Sequence, residues 1–553
     1  MARHQRDSEG AIEAQPSVRQ PASDQSRLTA LRALRAANPL GAWLAGGVAA
    51  AALAVYVATL APGLSVEHYG YDGGDLIAAA RTLGIPHPTG YPTYTLLAHL
   101  FTVLPVGTIA YRANLLSAVC AAGSAGLLCH IAQLVLPSGR YALAISAAAG
   151  LTLAFSSLLW SQAVITEVYT LLLFFCTASL WLLVRWRSGG SDRFLWTWGL
   201  LLGLGLGNHL TLALMVPPML ILLWPERQRL FRARTLLPAA GLCVAGVAVY
   251  AYLPLAAHHF PPVNWGNPQT WRGFLWVITG KQYQPLVFAL EPEMIPGRLG
   301  TWAGLLGDQF GWWGLALALA GAWAWRRHDR SLAHFALAWV SLIVAYAFFY
   351  DAGDSHVYLL PALVPLALAW GLGAGYLLDL VERRRAGWQR LAAVAAIVVL
   401  PAGSLALHWQ GADLSHDTSG ATIIRQTLEA IAPGGLVIVR RDGPTFSLWY
   451  AIYAEGQRPD VTVINAPLLA YTWYRDQLRR QYPQVSVPEP TAGSTTIDEL
   501  LREFVTRNWT RQPVYATDPS DTWKAWFDFV PAGKQGDSPP YRVYLKTRWE
   551  PQG

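Results

Sequence analysis

Apolar residues along this chain gather into long runs separated by short polar stretches, up to about residue 408, and the pattern then changes to short alternating runs. Runs of roughly 16–22 apolar residues match a helix crossing about 30 Å of hydrocarbon. They fall at about 41–60, 113–135, 142–160, 168–184, 194–208, 210–224, 236–254, 303–325, 332–349, 358–378 and 390–408. The pattern predicts an α-helical polytopic membrane protein of about eleven spans. After His408 come strand-like runs at 436–439, 461–464, 513–516 and about 541–545, alternating with helical patterns at 424–431, 472–481 and 497–508. That alternation predicts a small α/β domain. The expected organisation is a disordered cytoplasmic tail over 1–38, a transmembrane domain over 39–410 and an extracytoplasmic α/β domain over 411–553.

The arginines set the orientation. Arg27, Arg32 and Arg35 precede the first run, and Arg140, Arg185, Arg187, Arg193, Arg227, Arg229, Arg232, Arg234, Arg326, Arg327, Arg330, Arg383, Arg384, Arg385 and Arg390 occupy alternate short loops. The positive-inside rule makes that side cytoplasmic. Because 194–224 has arginines on both flanks, it must cross an even number of times, as a hairpin turning at Gly207-Asn208-His209. The expected location is the plasma membrane, with the N-terminus inside and the C-terminal domain outside.

Composition sharpens this. Of 553 residues, 53% are hydrophobic and 14% charged, against about 25% charged in ordinary soluble domains. Those values exclude a disordered chain and argue against a wholly soluble enzyme. The net charge of +7 is accounted for by topology and implies no nucleic-acid partner. Cys120, Cys129, Cys176 and Cys243 all lie in apolar runs, so no disulfide framework is expected. The α/β region has no G-x-G-x-x-G or P-loop, which leaves nucleotide binding unsupported.

The long loops at 61–112, 161–167, 255–302 and 350–357 share the face opposite the arginines and hold most of the out-of-place polar residues. Charge collected on one face of a membrane domain marks a site. In Asp72-Gly73-Gly74-Asp75, Asp75 suits an N-cap or first-turn acid for a helix over 76–83. Asp72 precedes two glycines that permit a sharp turn, and it could take a proton from an acceptor hydroxyl. His87, in the rigid Pro86–Pro92 segment beside Tyr91, could donate to a phosphate or sugar. Glu167 and His209 sit at the mouths of helical hairpins. Asn264 and Trp265 offer an amide and a stacking face for sugar, and Lys281, followed by Gln282 and Tyr283, offers a point charge for phosphate. Asp351, Asp354 and His356 lie within six residues; Asp354 and His356 are further candidates for binding donor or substrate, while with no second cluster to complete it a divalent metal site is not expected.

The block D-G-G-D…L-G-I-P-H-P-T-G-Y-P…Y-R-A-N-L-L-S-A resembles a membrane family whose signature runs D-x-G-E…L-G-x-x-H-P-P-G-Y-P…R-x-N-L. That family, long catalogued as a domain of unknown function, includes animal protein O-mannosyltransferases of the GT-C type. W-S-Q-A-V-I-T-E-V-Y-T, G-L-G-N-H-L, N-W-G-N-P…V-I-T-G-K-Q-Y and G-D-S-H-V-Y-L-L-P are similar to its later motifs, so the resemblance covers roughly 40–380 and leaves the α/β tail unmatched. Asp75 stands where Glu is usual, and Thr89 where Pro is usual. The resemblance implies a GT-C glycosyltransferase using a polyprenyl-phosphate sugar in the membrane lipid, with no further cofactor and with a protein, lipid or glycan acceptor. It implies a first-loop carboxylate as base, inversion at the anomeric carbon, and Lys281, His87 and His209 as cations for the leaving phosphate. A flippase of lipid-linked sugars and a non-catalytic scaffold with an exported binding domain are the competing expectations.

Overall fold

The computed structural model describes residues 39–137, 139–383, 387–490, 496–532 and 540–545. The expected tail over 1–38 lies outside the described residues. Each of the apolar runs is helical. Among the described residues, seven helices are long and apolar enough to cross a membrane, namely Pro39–Ala58, Ile109–Val135, Tyr169–Arg187, Leu210–Leu230, Ala233–His258, Arg330–Phe349 and Ser355–Glu382. An eighth counts if Ala142–Ala154 and Ser157–Ala163, bent by 63°, act together. Of the other three runs, Arg193–Leu206 has 14 residues, Ile295–His328 is interrupted at Gly311 (φ 61°), and Gly387–Ala412 is a 26-residue helix that includes Pro401.

Side-chain contacts sort the helix ends into two groups. At one end Arg187 pairs with Asp329 at 2.9 Å, and Arg229 Nε donates to Asp192 at 2.9 Å. At this end, then, the arginine-bearing loops meet one another. The 193–206 helix runs parallel to 233–258, since Trp196 bonds the carbonyl of Thr235 and Tyr250 bonds that of Leu206. Their starts therefore share the arginine end, and the chain between them must return. The break at Gly207–His209 is thus the tip of a hairpin at the opposite end, as the flanking arginines require.

At that opposite end the first loop departs from expectation. Its helix begins at Gly73, not Leu76, and spans Gly73–Thr82. Gly73 and Gly74 are inside it in ordinary helical conformation, so they do not serve a sharp turn. They are small because neighbours press close: a Cβ on Gly74 would overlap the carbonyl of Phe446, and one on Gly73 would lie 3.3 Å from the carbonyl oxygen of Thr166. The following Pro92–Thr102 helix packs against Gly73–Thr82 and Ile109–Val135.

The C-terminal domain is built on a five-stranded sheet of order β2-β1-β3-β5-β4. Strands β1 (Leu436–Val439), β2 (Thr462–Asn465) and β3 (Val514–Ala516) are parallel. Strands β4 (Phe527–Pro531) and β5 (Tyr541–Leu545) add an antiparallel hairpin edge. The parallel strands are buried on both faces, which is why they read as unbroken apolar runs. Helices Thr472–Gln481 and Ile497–Asn508 form where the pattern places them. Two elements depart from the sequence pattern, β4 and the helix Asp442–Trp449. In the latter Pro444 falls in the first turn, where a missing N–H costs nothing. This helix lies directly on Gly73–Thr82. The core of the C-terminal domain is continuous with Ile77, Ala78, Ile85 and Trp265, so the two domains share one hydrophobic cluster.

Candidate active site

A cavity of about 530 Å³ opens where the first loop, the 350–358 loop, Tyr283 and the Arg441–Pro444 turn of the C-terminal domain meet. Asp72 lies at its wall as the residue preceding helix Gly73–Thr82, and its side chain makes no capping bond. One turn into the helix, Asp75 is fully buried and accepts three hydrogen bonds. His87 N and Nδ1 donate to Oδ2 at 2.9 and 2.8 Å, and Trp265 Nε1 donates to Oδ1 at 3.0 Å. The Asp75 bond holds His87 with its proton on Nδ1, which turns Nε2 toward Asp72, 3.5 Å away. The expectation that Asp75 caps its helix is therefore corrected: its carboxylate reaches across to His87 and Trp265.

The aromatic setting fixes the imidazole further. Phe446 stacks on His87 at 6.4 Å and 11°, while Tyr91 and Tyr283 meet it edge-on at 5.1 and 6.3 Å. Burial opposes charging of His87. Asp72, the hydrogen bond to Asp75, and Asp442 outweigh it, and its pKa rises to about 9. Asp72 keeps 40% of its side chain open, toward the cavity that it lines. Enclosure pushes its pKa up to about 6; His87 pulls the other way, and Asp354, Asp442 and Asp75 reinforce the rise. Near neutral pH this makes Asp72 an ionised acceptor of protons beside an imidazolium.

Behind the cavity wall, Glu167 is buried, and desolvation, followed by repulsion from Asp72 and Asp354, holds its pKa well above the usual carboxylate range. His209 is lowered to about 4 by burial and by His87, so it is neutral. Its Nδ1 accepts from the Thr211 backbone, and its ring packs among Tyr91, Tyr169 and Tyr358. Asp354 lines the cavity and accepts from the Tyr169 hydroxyl at 2.9 Å.

Of the residues singled out from sequence, Asp72, His87, Tyr91, Tyr283 and Asp354 line this cavity. Asp75, Trp265, Glu167 and His209 stand behind its walls. His356 lies in an adjoining chamber of about 750 Å³, with Tyr69 between the two. Three lie elsewhere. Lys281 is exposed and bonds Gln284 at 3.2 Å, Gln282 is not among the lining residues, and Asn264 pairs its backbone with Ile85 and its amide with Asn267. Trp265 gives its indole N–H to Asp75 and is 2% exposed, so it presents no stacking face. Asp351, Asp354 and His356 diverge toward Arg298, Tyr169 and Tyr69 and form no common site.

Sequence reasoning missed Tyr169, Tyr350, Tyr358, Arg441 and Asp442. Tyr169 and Tyr358 fall inside the quoted motifs and Tyr350 precedes the polar Asp351–His356 stretch, but nothing local marks their rings as lining a cavity. Arg441 and Asp442 come just after Arg440 at the end of a parallel strand, the position from which α/β sheets usually present ligand contacts, and that signal was available.

The family model described as the protein O-mannosyl-transferase TMEM260 N-terminal domain matches residues 72–230, beginning at the cavity aspartate. A second, described as TMEM260-associated domain 2, matches 421–530, so the similarity extends into the α/β tail that the motifs had left unmatched. The mouse protein O-mannosyl-transferase TMEM260 is 27% identical over 556 residues, covering 91% of this chain and 76% of that protein. An undecaprenyl phosphate-alpha-4-amino-4-deoxy-L-arabinose arabinosyl transferase of Pseudomonas fluorescens is 30% identical over 230 residues, 41% of this chain and 38% of its own length. The crystal structure of ArnT from Cupriavidus metallidurans bound to undecaprenyl phosphate superposes with a TM-score of 0.54 at 14% identity, covering 89% of this chain and 96% of that one.

Proposed function

We propose that the chain, a GT-C-type membrane glycosyltransferase, moves a sugar from a polyprenyl-phosphate-linked donor to an acceptor hydroxyl on the extracytoplasmic face, with Asp72 as general base. The observation that carries this is the Asp75–His87–Asp72 array at the mouth of a walled cavity. The named activities of the relatives, O-mannosyl transfer and transfer of a sugar from undecaprenyl phosphate, support the reaction class and the donor class. The extracytoplasmic face is supported by the position of the cavity, at the helix ends opposite the arginine loops.

In the step itself, the acceptor O–H gives its proton to Asp72 as the oxygen attacks the anomeric carbon. The bond from that carbon to the phosphate oxygen breaks, and the electron pair leaves with the polyprenyl phosphate. A single displacement inverts the anomeric centre. A base with a pKa near 6 is ionised at neutral pH and still basic enough to matter in the transition state. His87 is charged in the same range, and it favours the leaving phosphate where negative charge develops. His209 is neutral and stands behind the cavity wall, so it is not a cation for the leaving phosphate. Asp75 acts through His87, as a positioning residue.

The test is to incubate the purified full chain with polyprenyl-phosphate mannose and Ser/Thr-containing peptides, and to look by mass spectrometry for glycosylated peptide together with free polyprenyl phosphate. Both products are expected in equal amounts. Absence of transfer to peptides, glycans and lipids alike, from a panel of polyprenyl-phosphate sugars, overturns the proposal.

A further inference from the structure

The C-terminal domain contributes a side chain to the cavity whose use nothing above explains. Arg441 lies two residues beyond the carboxyl end of β1, and Asp518 lies two residues beyond that of β3. These strands are neighbours, and the chain leaves β1 for β2 on one side and returns to β3 on the other. The crevice between their carboxyl ends is therefore a topological switch point, where open α/β sheets bind ligands. Here that crevice faces the membrane domain, and its rim closes the cavity that holds Asp72.

The charge pattern inside the cavity says what Arg441 would bind. Among the described residues, its lining carries the acids Asp72, Asp354 and Asp442, and only His87 and Arg441 as cations. Both ring nitrogens of His87 face carboxylates, Asp75 at 2.8 Å and Asp72 at 3.5 Å, so it has no N–H group to spare for a phosphate, whatever its charge contributes. Arg441 is held by Asp518 through Nε at 2.9 Å and Nη2 at 3.0 Å, which fixes the plane of the guanidinium. Two of its five N–H groups are used in that pair. The Nη1 edge remains, and the side chain is 60% exposed. A guanidinium held flat by one carboxylate, with its Nη1 N–H groups unused by that pair, is suited to the oxygen pair of a phosphate. Lys281, the other cation considered from sequence, is outside the cavity and bonds Gln284.

We propose that Arg441 binds the phosphate of the polyprenyl donor, so that the α/β domain is a working half of the active site. This rests on the transferase reading above. The domain's dense contact with the first loop, through Phe446 on His87 and Gly443 against Tyr71, then has a purpose: it sets the distance between the base on one domain and the phosphate ligand on the other.

The experiment uses the full chain in detergent and measures binding of undecaprenyl monophosphate, with undecaprenol, inorganic phosphate and phosphatidylglycerol as comparisons. Wild type is expected to bind undecaprenyl monophosphate at least tenfold more tightly than undecaprenol. Arg441→Ala should lose that preference while keeping its affinity for undecaprenol, and Arg441→Lys should fall between. Asp518→Asn leaves the guanidinium in place and should weaken binding by less than Arg441→Ala. It also shows whether loss in Arg441→Ala reflects the missing contact or a collapsed loop. In turnover, Arg441→Ala should raise the donor KM more than it lowers kcat. Unchanged undecaprenyl monophosphate affinity in a folded Arg441→Ala variant overturns the inference, as does equal competition by phosphatidylglycerol, which would mark a lipid-headgroup site. Should wild type bind undecaprenyl monophosphate through Arg441 yet transfer no sugar, the transferase reading fails and the phosphate site stands.

Discussion

Asp75→Asn separates a structural acid from one that tunes the site. As a helix cap, Asn would replace Asp with little loss. The contacts of Asp75 require otherwise. Three N–H donors, two from His87 and one from Trp265, converge on its two oxygens in a fully buried position. An Asn amide has a single acceptor oxygen. If that oxygen faces His87, the NH2 group points at the Trp265 indole N–H; if it is flipped, it meets the two His87 donors. At least one buried donor is orphaned, which costs about 1–3 kcal/mol. The carboxylate is also one of the groups that hold the His87 pKa up near 9 against burial, after Asp72. Removing it should move the loss of His87 charge to lower pH by about one to two units. The assay is a pH–rate profile of kcat on purified lipid donor, alongside a thermal melt. The variant is expected to melt lower, and its basic limb should shift toward neutrality, with activity near pH 8 falling by about two- to tenfold. A melting temperature and basic limb both equal to wild type would refute the role assigned to Asp75.

Other consequences follow from the same geometry. The wild-type profile should be bell-shaped, because protonation of Asp72 below about 6 removes the base and deprotonation of His87 above about 9 removes the cation; a flat rate from pH 5 to 10 would contradict this. Gly74→Ala drives a methyl group into the Phe446 carbonyl and should push the two domains apart. Overpacking costs about 1–3 kcal/mol, and a shift near 1 Å at the site costs about 100-fold in rate; near-normal turnover would show that the domain contact is dispensable. Lys281→Ala should leave the donor KM within about twofold of wild type, since the side chain is exposed outside the cavity; a tenfold increase would restore Lys281 to the phosphate.

Much of the framework could be read from the chain because its cause is local. Helix-length apolar runs and clustered arginines depend only on nearby residues, and even the Gly207–His209 hairpin followed from the arginines on its flanks. The buried parallel strands were equally plain, since burial on both faces leaves an unbroken apolar run. What escaped was set by contacts between distant segments. Gly73 and Gly74 read as a turn, but their smallness answers Thr166 and Phe446. Asp75 read as a cap because the partners that claim it, His87 and Trp265, come from other loops. Asp442–Trp449 opens with Asp-Gly-Pro, which reads as a breaker, and it becomes a helix against the first loop. Asp72 and His87 were legible as candidates, whereas their mutual orientation was not.

The central claim is that Asp72 accepts the acceptor's proton during transfer. Its most direct measurement is the single-turnover rate of Asp72→Asn with prebound polyprenyl-phosphate sugar, with donor affinity measured in parallel. Asn preserves shape and cannot take the proton, so the rate should fall by about 100- to 10,000-fold while donor affinity stays close to wild type. A rate within a few-fold of wild type, with donor bound equally well, would contradict it.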